Sequence, residues 1–173
     1  MVEVEHDSFD EIASGVKKIL DDFGIYCEPC DARHVSIAYV IGDVEQAFLT
    51  DIISEISEDK FHINPVGIKI LEGKTIDKDF ITVELDSSAD FEYACGLVEE
   101  NCEVKKFEGK FTAHVSLFKV EKGSIHKKDW FNLSRFLEIY SADFLSSVKI
   151  SGKKISVYNP EKQKEIEVEF KNK

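Results

Sequence analysis

The chain has 173 residues, 43% of them hydrophobic and 32% charged, with thirteen Phe, three Pro and a formal charge of −12 at pH 7. That is the composition of one soluble globular domain with ample core material, and it excludes long disorder and a core that depends on disulfides or metals. There is no run of eighteen apolar residues, the opening MVEVEHDSFDE is acidic where a secretory signal is basic then hydrophobic, and so much negative charge argues against a general nucleic-acid coat, so a cytoplasmic, membrane-free protein is expected.

In chain order, Asp7 to Asp22 predicts an amphipathic helix, with Phe9, Ile12, Val16 and Leu20 three and four apart and Gly24 beyond its end. Arg33 to Ile41 is β-branched and apolar, a strand. Asp43 then caps a second helix whose buried stripe is Val44, Ala47, Phe48, Ile52, Ile53 and Ile56. Strands Phe61 to Leu71 and Phe80 to Leu85 follow, joined by EGKTIDKD, and then a third helix from Ser88 to about Asn101 with Phe91, Ala94, Cys95 and Val98 on one side.

The order then restarts. Thr112 to Val120 is a strand and Asp129 to Tyr140 a helix with Trp130, Leu133, Phe136 and Leu137 facing inward. Phe144 to Ile150 and Lys154 to Tyr158 are further strands, and Lys164 to Phe170 is a last one. Both halves read strand, helix, strand, turn, strand, and no Pro/Gly-rich linker separates them. The expectation is one domain of two lobes, about 30–87 and about 110–160, with the N-terminal helix 7–22 outside the shared part.

Four cysteines are present. Cys27 and Cys30 have the gap of a zinc knuckle, but Cys95 and Cys102 lie seven apart in a helical stretch, so free thiols are expected and no structural zinc. Charge is uneven. Lys105 to Lys128 holds seven lysines against two acids, a net of +5, which leaves −17 on the remainder. Such a segment attracts anions or protects a strand edge from pairing.

That basic segment contains HVSLFKV at 114–120, and the first half contains HVSIAYV at 34–40. On a strand, alternate side chains share a face, so His34 and Ser36 point one way while Val35, Ile37 and Tyr39 point the other; His114 and Ser116 oppose Val115 and Leu117 in the same way. If the halves are related by a pseudo-twofold, both His-Ser pairs converge on one cleft. Packing alone repeats the apolar letters and lets the polar ones drift. Two imidazoles suit acid-base chemistry at phosphorus, since near neutral pH one ring accepts a proton while the other donates one, and the serine hydroxyls donate to non-bridging oxygens. A metal held by His34, His114 and His62 is the other chemical reading, and it lacks a carboxylate partner in either strand.

Two H-x-[ST]-hydrophobic motifs, His34-Val35-Ser36-Ile37 and His114-Val115-Ser116-Leu117, one in each half of a duplicated α+β chain, resemble the 2H phosphoesterase superfamily. That superfamily includes RNA 2′,3′-cyclic phosphodiesterases, RNA ligase-like proteins and 2′,5′-oligoadenylate phosphodiesterases. Ser stands in both motifs where Thr is more frequent, which keeps the hydroxyl. The resemblance covers about residues 30 to 160 and implies a bilobal fold with two antiparallel-rich sheets forming a central trough and helices outside. It also implies metal-independent phosphodiester cleavage without a cofactor, by His34, His114, Ser36 and Ser116.

The expected function is therefore a phosphodiesterase acting on a small or terminal RNA-like phosphodiester, such as a 2′,3′-cyclic phosphate or a 2′,5′-linked oligoadenylate. For hydrolysis His34 is assigned as base and His114 as acid. Two alternatives stay open: hydrolysis of a cyclic nucleotide signal, and a non-catalytic module that binds nucleotides or RNA ends. The partner is a small nucleotide or an RNA terminus, not a long duplex, and the protein is expected to be a monomer. Phe118, read on the face of His114 and Ser116, is a candidate to stack a base; Lys110 and Lys119 are candidates for phosphate, and Tyr158 and Phe111 are further aromatic candidates.

Overall fold

The computed structural model describes residues 2–5, 8–30, 33–55, 62–73, 76–86, 89–105, 112–144, 150–159 and 164–169. Helices and strands are interspersed along the chain. They are β1 (Val2–Glu5), α1 (Ser8–Asp22), β2 (Cys27–Pro29), β3 (His34–Val35), α2 (Gln46–Glu55), β4 (His62–Leu71) and β5 (Lys78–Asp86), followed by α3 (Ala89–Asn101), β6 (His114–Glu121), α4 (Lys127–Phe144), β7 (Ile150–Asn159) and β8 (Lys164–Glu169). The fold is α+β, and every pairing between named strands is antiparallel.

The helices form where apolar spacing demands. Phe9, Ile12, Val16 and Leu20 of α1 are all fully buried. The helix ends in a Schellman turn: the Gly24 amide donates to the Asp21 carbonyl at 2.9 Å and the Ile25 amide to the Leu20 carbonyl at 2.9 Å. Gly24 has φ of 68°, a conformation glycine adopts without Cβ strain, and buried Ile25 joins Leu20 beneath the turn. In α3, Phe91, Ala94 and Val98 are buried, and in α4, Leu133 and Leu137.

Several expectations shift. Helix α2 starts at Gln46, so Val44 is buried ahead of the helix and the helical stripe is phased on Leu49 and Ile52; Ala47 is exposed, and Ile56 lies outside the described residues. Phe136 of α4 is not core either. It is 56% exposed and meets Phe23 edge-on at 5.7 Å between ring centroids. The strand expected at Phe144 begins with the end of α4, and the turn expected near Gly152 is the interior of β7, because Gly152 pairs with Val4 and the strand continues to β8. Residues 145–149 lie outside the described part.

The strands join into one pairing network. Its path runs β1-β3-β6-β5-β4-β7-β8, β2 adds to β6, and β7 also pairs with β1, so six strands close on themselves. One face carries the core: Val35, Val115, Leu117, Ile81, Val83, Leu85 and Ile68 cluster with the buried helix residues. Gly67, Lys69, Phe80, Glu84, His114 and Ser116 belong to the opposite face by alternation, and none of them is part of that cluster.

The pairing has a local twofold. Val2 pairs with Val35 and Glu3 with His34, and in the second half Val83 pairs with Val115 and Glu84 with His114. Strand β1 thus stands to β3 as β5 stands to β6, and α1 follows β1 as α3 follows β5. Helix α1, expected outside the shared part, therefore has a positional counterpart in the second half.

Candidate active site

The two HVS tripeptides meet through one pair. Val35 is the register partner of Val115 in the antiparallel β3–β6 ladder, and both side chains are fully buried. Carrying the antiparallel register one residue to either side of that pair puts His34 level with Ser116, and puts Ser36, the residue just after β3, toward His114. All four are partly exposed, against the buried Val35 and Val115. Because cross-strand partners share a face, the arrangement is a small square with imidazoles on one diagonal and hydroxyls on the other.

Neighbouring strands extend the square into rows. Gly67 and Glu84 lead to His114, and Lys69 and Thr82 lead to Ser116. Lys69 Nζ pairs with the Glu84 carboxylate; the lysine side chain is 57% exposed and the glutamate's 21%. Gly67 leaves room beside this pair, since a Cβ there would meet only Glu84 Oε2, at 4.0 Å. Thr82, between the rows, is buried and its hydroxyl reaches the Lys69 carbonyl at 3.3 Å.

His114 is held by its own strand entrance. Its Nδ1 lies 2.8 Å from the Thr112 carbonyl oxygen. A carbonyl only accepts, so Nδ1 carries the proton and Nε2 is the nitrogen left for chemistry. The same hydrogen bond persists in the imidazolium, which lets Nε2 exchange a proton without the ring turning. Two rings and two hydroxyls on adjacent strands can serve an in-line displacement in which one nitrogen takes a proton and the other gives one.

The expected substrate contacts fare differently. Phe118 does not share the face of His114 and Ser116. The β5–β6 register shifts between Ile81 and Thr82, so Thr82 pairs with Ser116 but Ile81 with Phe118, and Phe118 is buried at 6% exposure. A bulge inserts one residue and inverts the alternation beyond it, which plain counting from His114 misses. The same bulge returns Lys119 to the open face, opposite Phe80. Lys110 and Phe111 lie outside the described residues, and Tyr158 is in β7 paired with Glu165. Tyr39, expected on the packed side, is 52% exposed because the ladder ends at Val35; its carbonyl accepts from Lys105 at 2.8 Å.

Cys27 and Cys95 pack with the core. Cys27 is buried in β2 opposite Val120, and Cys95 Sγ contacts the Ile37 carbonyl at 3.4 Å. Burial, helped by Glu99 and Glu92, pushes the Cys95 thiol up to about 11. Among the described residues no three His, Cys, Asp or Glu side chains gather as a metal cluster.

No family model matches the sequence, and no curated protein matches it significantly. Solved structures do. Kluyveromyces marxianus Usb1 superposes with a TM-score of 0.65 at 15% identity, covering 97% of this chain and 95% of that one. The chain has the fold of Usb1. A second Usb1 structure, with uridine monophosphate, gives a TM-score of 0.64 at 16% identity with the same coverage. The α+β, antiparallel-rich fold class expected from the sequence is the one observed. The Usb1 match extends over nearly the whole chain, so it takes in most of α1.

Sequence reasoning missed Glu84, Lys69 and Phe80 as neighbours of the histidines. A signal existed for one of them: Val2-Glu3-Val4-Glu5 and Val83-Glu84-Leu85-Asp86 repeat 81 residues apart, one more than the 80 that separate the HVS motifs. Lys69 and Phe80 had none, because strand order and the bulge bring them to the site.

Proposed function

We propose that this chain is a metal-independent phosphodiesterase of the 2H type, acting on a small or terminal RNA-like phosphodiester such as a 2′,3′-cyclic phosphate or a 2′,5′-linked oligoadenylate. The observation that carries the reading is the Val35–Val115 pair, whose antiparallel register supports grouping His34, Ser116, His114 and Ser36 on the face away from the core. The fold likeness to Usb1, in one case with uridine monophosphate, supports a nucleotide as ligand.

For hydrolysis, His34 takes a proton from water as the water oxygen bonds to phosphorus. His114 Nε2 gives a proton to the leaving ribose oxygen as its bond to phosphorus breaks. The hydroxyls of Ser36 and Ser116 donate to the non-bridging oxygens, where charge concentrates in the transition state. The Thr112 carbonyl keeps the His114 ring in one orientation throughout. After release the two histidines have exchanged protonation states, and water resets them.

The test is a metal-free assay with 2′,3′-cyclic nucleotides, 2′,5′- and 3′,5′-linked dinucleotides and cyclic dinucleotides. Turnover of a cyclic phosphate or a 2′,5′ linkage is expected. Turnover of cyclic dinucleotides alone moves the substrate to a signalling nucleotide, and binding without turnover leaves a nucleotide-binding module.

A further inference from the structure

The open face continues beyond the His-Ser square. One step past Thr82 along β5 lies Phe80, paired with Lys119 of β6 on one side and with Leu71 of β4 on the other. Phe80 is partly exposed and is not among the side chains packed on the core, and neither is Leu71. Lys69 sits one row back on β4, so Phe80 has Lys119 directly across from it and Lys69 on the diagonal.

From this juxtaposition we infer that Phe80, Lys69 and Lys119 form the subsite for the substrate's base and its non-scissile phosphate. The inference rests on the phosphodiesterase reading of the neighbouring square and says where the rest of that substrate lies. Two residues along a strand advance roughly 7 Å and one strand across adds about 5 Å, so Phe80 stands about 9 Å from Ser116, within a nucleotide's reach of a phosphate bound there. Stacking on a ring tolerates any base, because every base has a π face. The register shift is what builds the subsite: it buries Phe118 and turns Lys119 outward next to Phe80.

The surrounding charges set the terms of binding. Lys69 is already paired with Glu84, so an incoming phosphate competes with that carboxylate. Lys119 has Glu28 of β2 as its register partner, and Glu28 is drawn toward Lys78 at 3.5 Å. Lys69 is therefore held by an acid when no anion is present, which limits indiscriminate anion capture by this face.

The test titrates the full chain with a fluorescein-labelled uridine pentanucleotide and with a pentamer of equal charge that lacks bases. Phe80→Ala is expected to weaken binding of the uridine oligomer by about tenfold or more, with a much smaller change for the abasic one, and Phe80→Trp to restore it. Lys69→Met is expected to weaken both and to lower the salt slope by about one, and Glu84→Gln to tighten both. Absence of uridine-oligomer binding by the wild type, equal losses on both oligomers, or failure of Trp to restore binding overturns the subsite. Loss of turnover in the metal-free assay with these binding differences intact overturns the catalytic reading instead.

Discussion

Val35 and Val115 face each other across β3 and β6, both fully buried, and each carries a histidine on one side and a serine on the other. A buried apolar pair fixes register strongly, because a slip of one residue would turn both HVS tripeptides over, burying the polar groups and exposing the valines. The placement of the histidines is thus held from behind, by packing that takes no part in the chemistry.

Replacing either histidine tests the square most directly. His34→Ala and His114→Ala are each expected to lower kcat by about 10³-fold or more, with circular dichroism and the melting temperature close to wild type, since both rings are partly exposed. The wild-type rate should be the same with and without EDTA. Inhibition by EDTA that added zinc reverses would point to metal chemistry.

The serines are expected to matter less. Ser36→Ala and Ser116→Ala each remove one donor to the transition state, so kcat should fall about 10²-fold while KM moves little. Steady-state kinetics separate the two parameters, and a change confined to KM would reassign the hydroxyls to ground-state binding.

Helix α1 can be tested as part of the domain. Phe9 is fully buried, and its ring lies under the Arg33 guanidinium carbon at 5.4 Å, one residue from His34. Phe9→Ala is expected to lower unfolding stability by about 3–5 kcal/mol, read from urea denaturation. A loss under 1 kcal/mol would mean that α1 packs without supporting the core.

Cys95 makes stability fall at high pH. Burial raises its thiol to about 11, above the ordinary value of 9.0, so between those values the folded chain keeps a proton that the unfolded chain has lost. Unfolding then releases that proton, and stability present below pH 9 declines as pH rises toward 11. Melting temperatures from pH 8 to 11 should drop less steeply in Cys95→Ala than in wild type. Identical slopes would show that the thiol is not the group responsible.

How much of this was legible in the sequence differs from element to element. The stripe Phe9, Ile12, Val16 and Leu20 and the Gly24 stop were readable because helical spacing and left-handed glycine are local physics. The paired HVS motifs were readable because strand alternation separates His and Ser from Val without reference to the rest of the fold. The counterpart of β1 in β5 was written in Val2-Glu3 and Val83-Glu84 but is short enough to pass unnoticed.

By itself, then, the sequence determined the α+β fold class, and it proposed the four polar side chains of the two HVS motifs as one site. Only the tertiary structure decided their order, His34 beside Ser116 and Ser36 beside His114, because antiparallel register is a relation between distant segments. It also decided which aromatic and which lysine share their face. The bulge at Ile81 and Thr82 buries Phe118 and presents Lys119 with Phe80, and no alternation counted along a single strand contains that information, since a bulge arises from how two strands pair.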